Sequence, residues 1–277
     1  MTPAPAGSAC GCTAGGRPLP TYDVPMAFYL PLGDGRFEST EHTRGPWDPG
    51  AQHAGPPAAL LGRAVESVAP AGMRVARLTY EIARPVPIAT LEVTVRVVRQ
   101  GRGVTLVEAA IDPFMRCSAL LIRAVEDLVP AATPPVTVHL DGATVKPLYP
   151  TAHDVGYHTA MDFRFSEGSF LERGPATAWM RMRESLVDGE EPSPLSRVLV
   201  AADSGNGISN ELELSRFLFV NADLTVHLLR HPVGEWVCLR SATAIDAAGI
   251  GLADTALHDQ HGPIGRSAQS LFVAPRR

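Results

Sequence analysis

The chain has 277 residues, enough for two domains of ordinary size, and its 45% hydrophobic and 19% charged content can bury a sizeable core. A formal net charge of −5 supplies no basic stripe to neutralise phosphates, which excludes a nucleic-acid binder. No apolar run is long enough to span a bilayer, which excludes a helical membrane protein.

Residues 1–24 read as a flexible tail, lacking the basic start and apolar block of a signal peptide. Cys10 and Cys12 stand alone in it, and with Cys117 and Cys238 they are too scattered for a zinc site or a disulfide scaffold. A reducing, cytoplasmic setting is the expectation. From Met26 to Glu41 the pattern predicts a hairpin turning at Gly33-Asp34-Gly35. A helix follows from about Pro56 to Val68, with Leu60, Leu61, Ala64, Val65 and Val68 at helical spacing and prolines in its first turn. Four strands then run through Arg74–Ala83, Thr90–Arg99, Val104–Asp112 and Arg116–Val125, joined by short turns and therefore antiparallel. Residues 127–155, rich in Pro, Ala and Thr, form a connector. Beyond it come strands at Gly156–Arg164 and Thr177–Arg183 and a helix around Ser193–Ala202. Four more strands follow at Arg216–Arg230, Trp236–Ile245, Gly251–His258 and Ile264–Val273.

This second plan repeats the first. Leu78-Thr79-Tyr80-Glu81-Ile82-Ala83-Arg84-Pro85 is similar to Leu224-Thr225-Val226-His227-Leu228-Leu229-Arg230-His231-Pro232, at an offset of 146 (224 − 78). Gly101-Arg102-Gly103 matches Gly249-Ile250-Gly251, and Ser118-Ala119 matches Ser267-Ala268. Three matches in order imply a duplication. The fold class is α+β: residues 25–126 and 156–277 each form a helix laid on an antiparallel sheet, joined side by side so that an exposed strand edge is covered.

Polar residues in apolar strands mark the candidate site. Strict alternation along Arg216–Arg230 puts Asp223 on the face of Phe217 and Phe219, as in a pocket wall. The first half has Arg77 at the matching place, so the fold does not demand the carboxylate. Gln269 stands where the repeat puts Leu120 in the first half, and a buried glutamine needs hydrogen-bond partners. Ser241 and Thr243 on the neighbouring strand could complete a polar patch. Gln52-His53-Ala54-Gly55-Pro56 opens the first helix, where Gly55 would let a ligand approach unpaired amides and His53 could serve acid/base chemistry or cap the helix. Asp203-Ser204-Gly205-Asn206-Gly207 lacks the ligands of a calcium loop and reads as a helix-terminating turn. Nucleophile-elbow, Walker and zinc-protease motifs are all missing from the sequence.

Gly55-Pro56-Pro57-Ala58-Ala59-Leu60-Leu61, Asn221 to Leu228 followed by Arg230, Pro232 and Trp236, and then Asp259, Gly262 and Gln269 resemble the double-hotdog acyl-CoA thioesterase II family. The resemblance implies hydrolysis of an acyl-CoA or acyl-carrier thioester without metal or organic cofactor. It also implies that an Asp, a Thr or Ser, and a Gln of the second hotdog orient a water. Carried over, these are Asp223, Thr243 and Gln269, although counting from Trp236 lands on Ala244, next to Thr243. Gly55, His53 and Ser241 would bind substrate, and a homodimer is expected. Two alternatives stay open: a dehydratase or cyclase using His53 with Glu66, and a non-catalytic acyl-binding protein.

Overall fold

A computed structural model describes residues 26–135 and 138–276; the cysteine pair of the tail lies outside the described residues. The first half contains β1 (Ala27–Gly33), β2 (Arg36–Ser39), helix α1 (Gly55–Ser67), β3 (Met73–Ile82), β4 (Thr90–Glu92), β5 (Thr94–Gln100), β6 (Val104–Ile111) and β7 (Met115–Arg123). The second contains the short α2 (Tyr157–Ala160), β8 (Met161–Glu167), β9 (Ala176–Met182), β10 (Ser185–Val187), α3 (Pro194–Ala202) and the one-turn α4 (Gly205–Ile208). It ends with β11 (Phe217–Asn221), β12 (Asp223–Leu228), β13 (Val237–Ile245), β14 (Ile250–Asp259) and β15 (Gly262–Pro275).

One large sheet joins the halves in the order β5-β6-β7-β3-β12-β15-β14-β13-β9-β8, with β11 pairing onto β15. Its central pair, β3 with β12, is antiparallel and sets Thr79 opposite Thr225. These two threonines are also repeat equivalents, 146 residues apart, and the Thr225 hydroxyl donates to that of Thr79 at 3.4 Å. A residue facing its own repeat copy across an antiparallel pair lies on a local twofold axis, so the duplication is written into the sheet. A smaller sheet, β10-β1-β2-β4, ties the halves together a second time because β1 pairs in parallel with β10. The expected strand Thr90–Arg99 is therefore two strands, divided at Val93 between two sheets.

The expected strand Arg216–Arg230 is also two. Its ladder onto β15 pairs Asn221 with Leu271 and then Thr225 with Ala268, which leaves one extra residue at Ala222. An extra residue turns every later side chain to the other face. Phe219 thus shares the core face with Leu224 and Val226, which are buried, while Asp223, Thr225 and His227 point outward. The same shift occurs in β3 between Val75 and Arg77, so the repeat carries the irregularity in both copies.

Helices α1 and α3 pack against one another over the core face of the large sheet. Two glycines set that approach. A Cβ on Gly55 would lie 2.3 Å from the Val200 carbonyl oxygen, and one on Gly62 would lie 2.2 Å from a Leu199 methyl. Small residues here let the helix backbones come close while Ala58, Leu60, Leu61 and Val65 bury themselves. Ser193 caps α3 by accepting from the Ser196 amide, and Pro194 fills its first turn. That fixes where α3 begins; its other end, at Asp203, carries the site.

Candidate active site

Where α3 stops, Asp203 is left at its C-terminus with a side chain only 5% exposed. A buried carboxylate must be met by donors; Asn221 and Gln269 supply them, and His53 lies beside it. Asn221 Nδ2 donates to Oδ1 at 2.7 Å. Gln269 Nε2 donates to the same Oδ1 at 3.1 Å and to the Asp203 carbonyl at 3.1 Å. His53 Nδ1 lies 3.1 Å from Oδ2. Gln269 is fully satisfied, since its Oε1 accepts from the Asn206 amide at 3.0 Å. Asn206 itself is different: its Nδ2 faces the Phe219 carbonyl at 3.5 Å, while its buried Oδ1 has no partner among the described residues.

His53 is held by stacking. The Tyr157 ring lies parallel to the imidazole, 3.7 Å between centroids and 4° between planes. Tyr157 is fixed in turn, donating to the Val200 carbonyl at 2.8 Å and contacting the Ser204 hydroxyl at 2.9 Å. Burial lowers the His53 pKa from its ordinary value, and the Asp203 charge pulls it partway back. Burial also raises the Tyr157 pKa well above the phenol range, so the ring stays neutral.

A cavity of about 360 Å³ opens against these groups. His53, Asp203, Asn206 and Asn221 line it together with an apolar wall that includes Trp47, Tyr149, Phe163, Phe170, Leu214 and Phe219. Converging polar groups in an otherwise apolar, concave site suit a ligand with one reactive polar centre and a hydrocarbon chain.

The structure redistributes the roles expected from sequence. Gln269 and His53 are brought together, but on Asp203 rather than Asp223. Because of the extra residue at Ala222, Asp223 faces away and its Oδ1 accepts from the Ser270 amide at 2.6 Å. Asn221 takes its place on the face of Phe219. Thr243 bonds the Ser209 hydroxyl at 2.8 Å and Ser241 bonds that of Thr255 at 2.8 Å, so both are buried structural pairs outside the cavity lining. The Gly55 amide points at His53 Nδ1 at 3.1 Å, Pro56 and Pro57 have no amide hydrogen, and the Ala58 amide bonds the Ala54 carbonyl. The one amide hydrogen of this turn that is not bonded within the helix is thus directed at the His53 ring, and Gly55 serves helix packing. The ladders also place Ala119, not Leu120, at the counterpart of Gln269: Val107 pairs Ala119 as Ala253 pairs Gln269. Glu66 lies near the far end of α1, where it accepts from Ser193 at 2.6 Å, about 20 Å along the chain's rise from His53. The His53–Glu66 pair of a dehydratase is not formed.

Asp203, Asn206 and Asn221 were not recognised from sequence. The usable signal was the polar run Asp203-Ser204-Gly205-Asn206 directly after an apolar helix, which a turn explains equally well.

The N-terminal domain profile of acyl-CoA thioesterases matches residues 43–122, and the C-terminal domain profile matches residues 127–273. No curated protein sequence matches the chain. Among solved structures, a Thermobifida fusca YX protein assigned as thioesterase II superposes with a TM-score of 0.69 at 18% identity, covering 89% of this chain and 95% of its own. The tesB protein of Mycobacterium avium subsp. paratuberculosis gives 0.60 at 15% identity over 89% and 96%. An acyl-CoA thioesterase II of Mycobacterium marinum gives 0.59 at 12% identity over 91% and 96%. These likenesses establish the double-hotdog fold, and the two profile matches together span most of the sequence. The chain belongs to the acyl-CoA thioesterase family and is a thioester hydrolase.

Proposed function

We propose that hydrolysis takes place at the C-terminal end of α3, where Asp203, Asn221 and His53 meet the cavity and Gln269 holds Asp203 from behind. The observation that carries this reading is a buried carboxylate with three side-chain partners opening onto an apolar chamber. The acyl chain lies along the aromatic wall and the thioester carbonyl faces Asn221. One Nδ2 hydrogen of Asn221 is engaged by Asp203, and the second remains for the carbonyl oxygen as negative charge develops there. Water attacks the carbonyl carbon, the C–S bond breaks, and the Asp203–His53 pair takes up the proton that the sulfur finally receives. No step needs a metal or an organic cofactor.

A thiol-release assay over acyl-CoAs of graded chain length, with matched acyl-carrier thioesters, tests this reading and tells CoA from carrier. Asp203→Asn is isosteric and should lower kcat by about 10²-fold or more without unfolding the protein. Wild-type rates in that variant would move the site elsewhere. A cytoplasmic setting fits the described cysteines, Cys117 and Cys238, which are free and buried, and a place in fatty-acid or polyketide metabolism fits an acyl-thioester substrate. Among the described residues β5 ends the large sheet without a strand partner, whereas Thr144 bridges to Phe165 on the edge of β8; the β5 edge supports self-association as a dimer, which light scattering checks.

A further inference from the structure

We infer that His53 is a catalytic residue of the hydrolysis proposed above, on which this inference rests: its Nε2 takes a proton from the attacking water and hands it to the departing sulfur, while Asp203 holds its Nδ1. The argument starts from the short contact between Nδ1 and Asp203 Oδ2, 3.1 Å. Two bare acceptors at that distance repel, and Oδ1 already receives Asn221 and Gln269. A proton on Nδ1, facing Oδ2, turns that repulsion into attraction. In a neutral imidazole it is the ring's one N–H, so Nε2 carries a lone pair. The Gly55 amide donates to Nδ1 at 3.1 Å and favours the opposite tautomer; the buried negative charge of Asp203 favours the Nδ1–H form.

Position supports the role. The His53 side chain is 13% exposed against 5% for Asp203, so on the cavity wall the imidazole is the more reachable of the two. The stacked Tyr157 leaves the ring no other plane to adopt. The carboxylate, already receiving three side chains, acts as the positioning group. Besides Tyr157, the remaining titratable or charged groups of the cavity are Asp48, His158, Arg84 and Tyr149.

The step balances. The water oxygen bonds to the carbonyl carbon as one of its protons passes to Nε2, giving an imidazolium paired with Asp203. Collapse of the tetrahedral intermediate breaks the C–S bond, and the Nε2 proton goes to sulfur. The products are a thiol and a carboxylic acid, which ionises into solvent, and the imidazole is neutral again.

Two measurements test the role. Nitrogen-15 NMR of the imidazole in the wild-type protein should show the Nδ1–H tautomer at neutral pH, and Asp203→Asn should abolish that preference. His53→Ala should lower kcat on the best acyl-CoA by about 10²-fold with KM little changed, and added imidazole should restore part of the rate. His53→Asn, a milder truncation, repeats the kinetic test if the alanine variant fails to fold. An Nε2–H tautomer in wild type, or a His53 variant within about threefold of the wild-type rate, overturns the role. If Asp203→Asn is inactive while His53→Ala is not, hydrolysis at Asp203 survives and His53 is removed from it. If wild type releases no thiol from any acyl-CoA or carrier thioester, both readings fall.

Discussion

The two halves share one backbone and differ in what they place on it. On both sides of the twofold axis a long strand carries an extra residue, Ala76 or Ala222, and just before it stands the residue that faces the helix end. In the first half that residue is Val75, 4% exposed, whose ladder partner is Leu121, and two residues before Leu121 stands Ala119, fully buried; in the second half Asn221 pairs with Leu271, and two residues before it stands Gln269. One copy closes its core with methyl groups, and the other opens it around Asp203. The mouths differ in the opposite sense. Arg230 is bound bidentately by the fully buried Asp259, whose carboxylate also accepts from the Val233 and His261 amides. Its repeat counterpart Arg84 is exposed and lines the cavity. The halves thus differ in kind: the second carries the buried carboxylate on a clamped frame, and the first lends His53 and the exposed Arg84 to the same cavity.

The largest expected effect concerns that clamp. Burial alone would raise the pKa of Asp259, but Arg230 and two amides outweigh it and hold the carboxyl below its ordinary value. Asp259→Ala strands a partly buried guanidinium and should cost about 3 kcal/mol in denaturant unfolding. Asp112, at the corresponding hairpin of the first half, pairs with Arg116 at the surface, where both side chains are more than half exposed. Asp112→Ala should cost less than about 1 kcal/mol. Equal costs would mean that the halves are clamped alike.

Next comes conversion of the second core into a copy of the first. Asn221→Val with Gln269→Ala should lower kcat by about 10²-fold, which corresponds to about 2.7 kcal/mol of transition-state stabilisation, with the far-UV spectrum unchanged. Activity near wild type would show that the polar pair is not what separates the halves. At the mouth, Arg84→Ala should raise KM for a CoA thioester a few-fold and leave kcat and stability alone, as for a solvated contact to phosphate. A change in kcat instead would place Arg84 at the chemistry.

The smallest effect is on pH. Burial lowers the pKa of His53, His153, His158, His231 and His258. Each therefore binds a proton more readily in the unfolded chain. The stability they allow is intact above about pH 6.5 and declines as pH falls through that value towards the folded pKa values. Glu66, raised by burial, works the other way at lower pH. Four of these five histidines lie beyond residue 150, so hydrogen exchange on mild acidification should quicken in β8–β15 before β3 and β5–β7. Uniform quickening would remove this difference between the halves.

Much of the architecture was legible in the sequence. Apolar periodicity, Pro56 and Pro57, and the repeated Leu-Thr…Arg-Pro segments locate both helices, the strands and the duplication, because each depends on neighbours along the chain. Gln269 and His53 were also legible as polar residues in apolar surroundings. The partner of both was not. Alternation pointed to Asp223, and a single extra residue at Ala222, invisible to composition and propensity, reversed the face. Asp203 looked like a turn residue because nothing local distinguishes a carboxylate that ends a helix in solvent from one that ends it inside a cavity.

What the sequence by itself determined is therefore the repeated α+β plan and the acyl-thioester family. What only the tertiary structure decided is which carboxylate stands buried beside His53 and Gln269. That choice depends on strand β15 bringing Gln269 across 66 residues to Asp203, and on packing of α1 against α3 that sets His53 beside it. Side-chain facing follows from register, and register is fixed by pairing between distant strands rather than by the residues of any one strand.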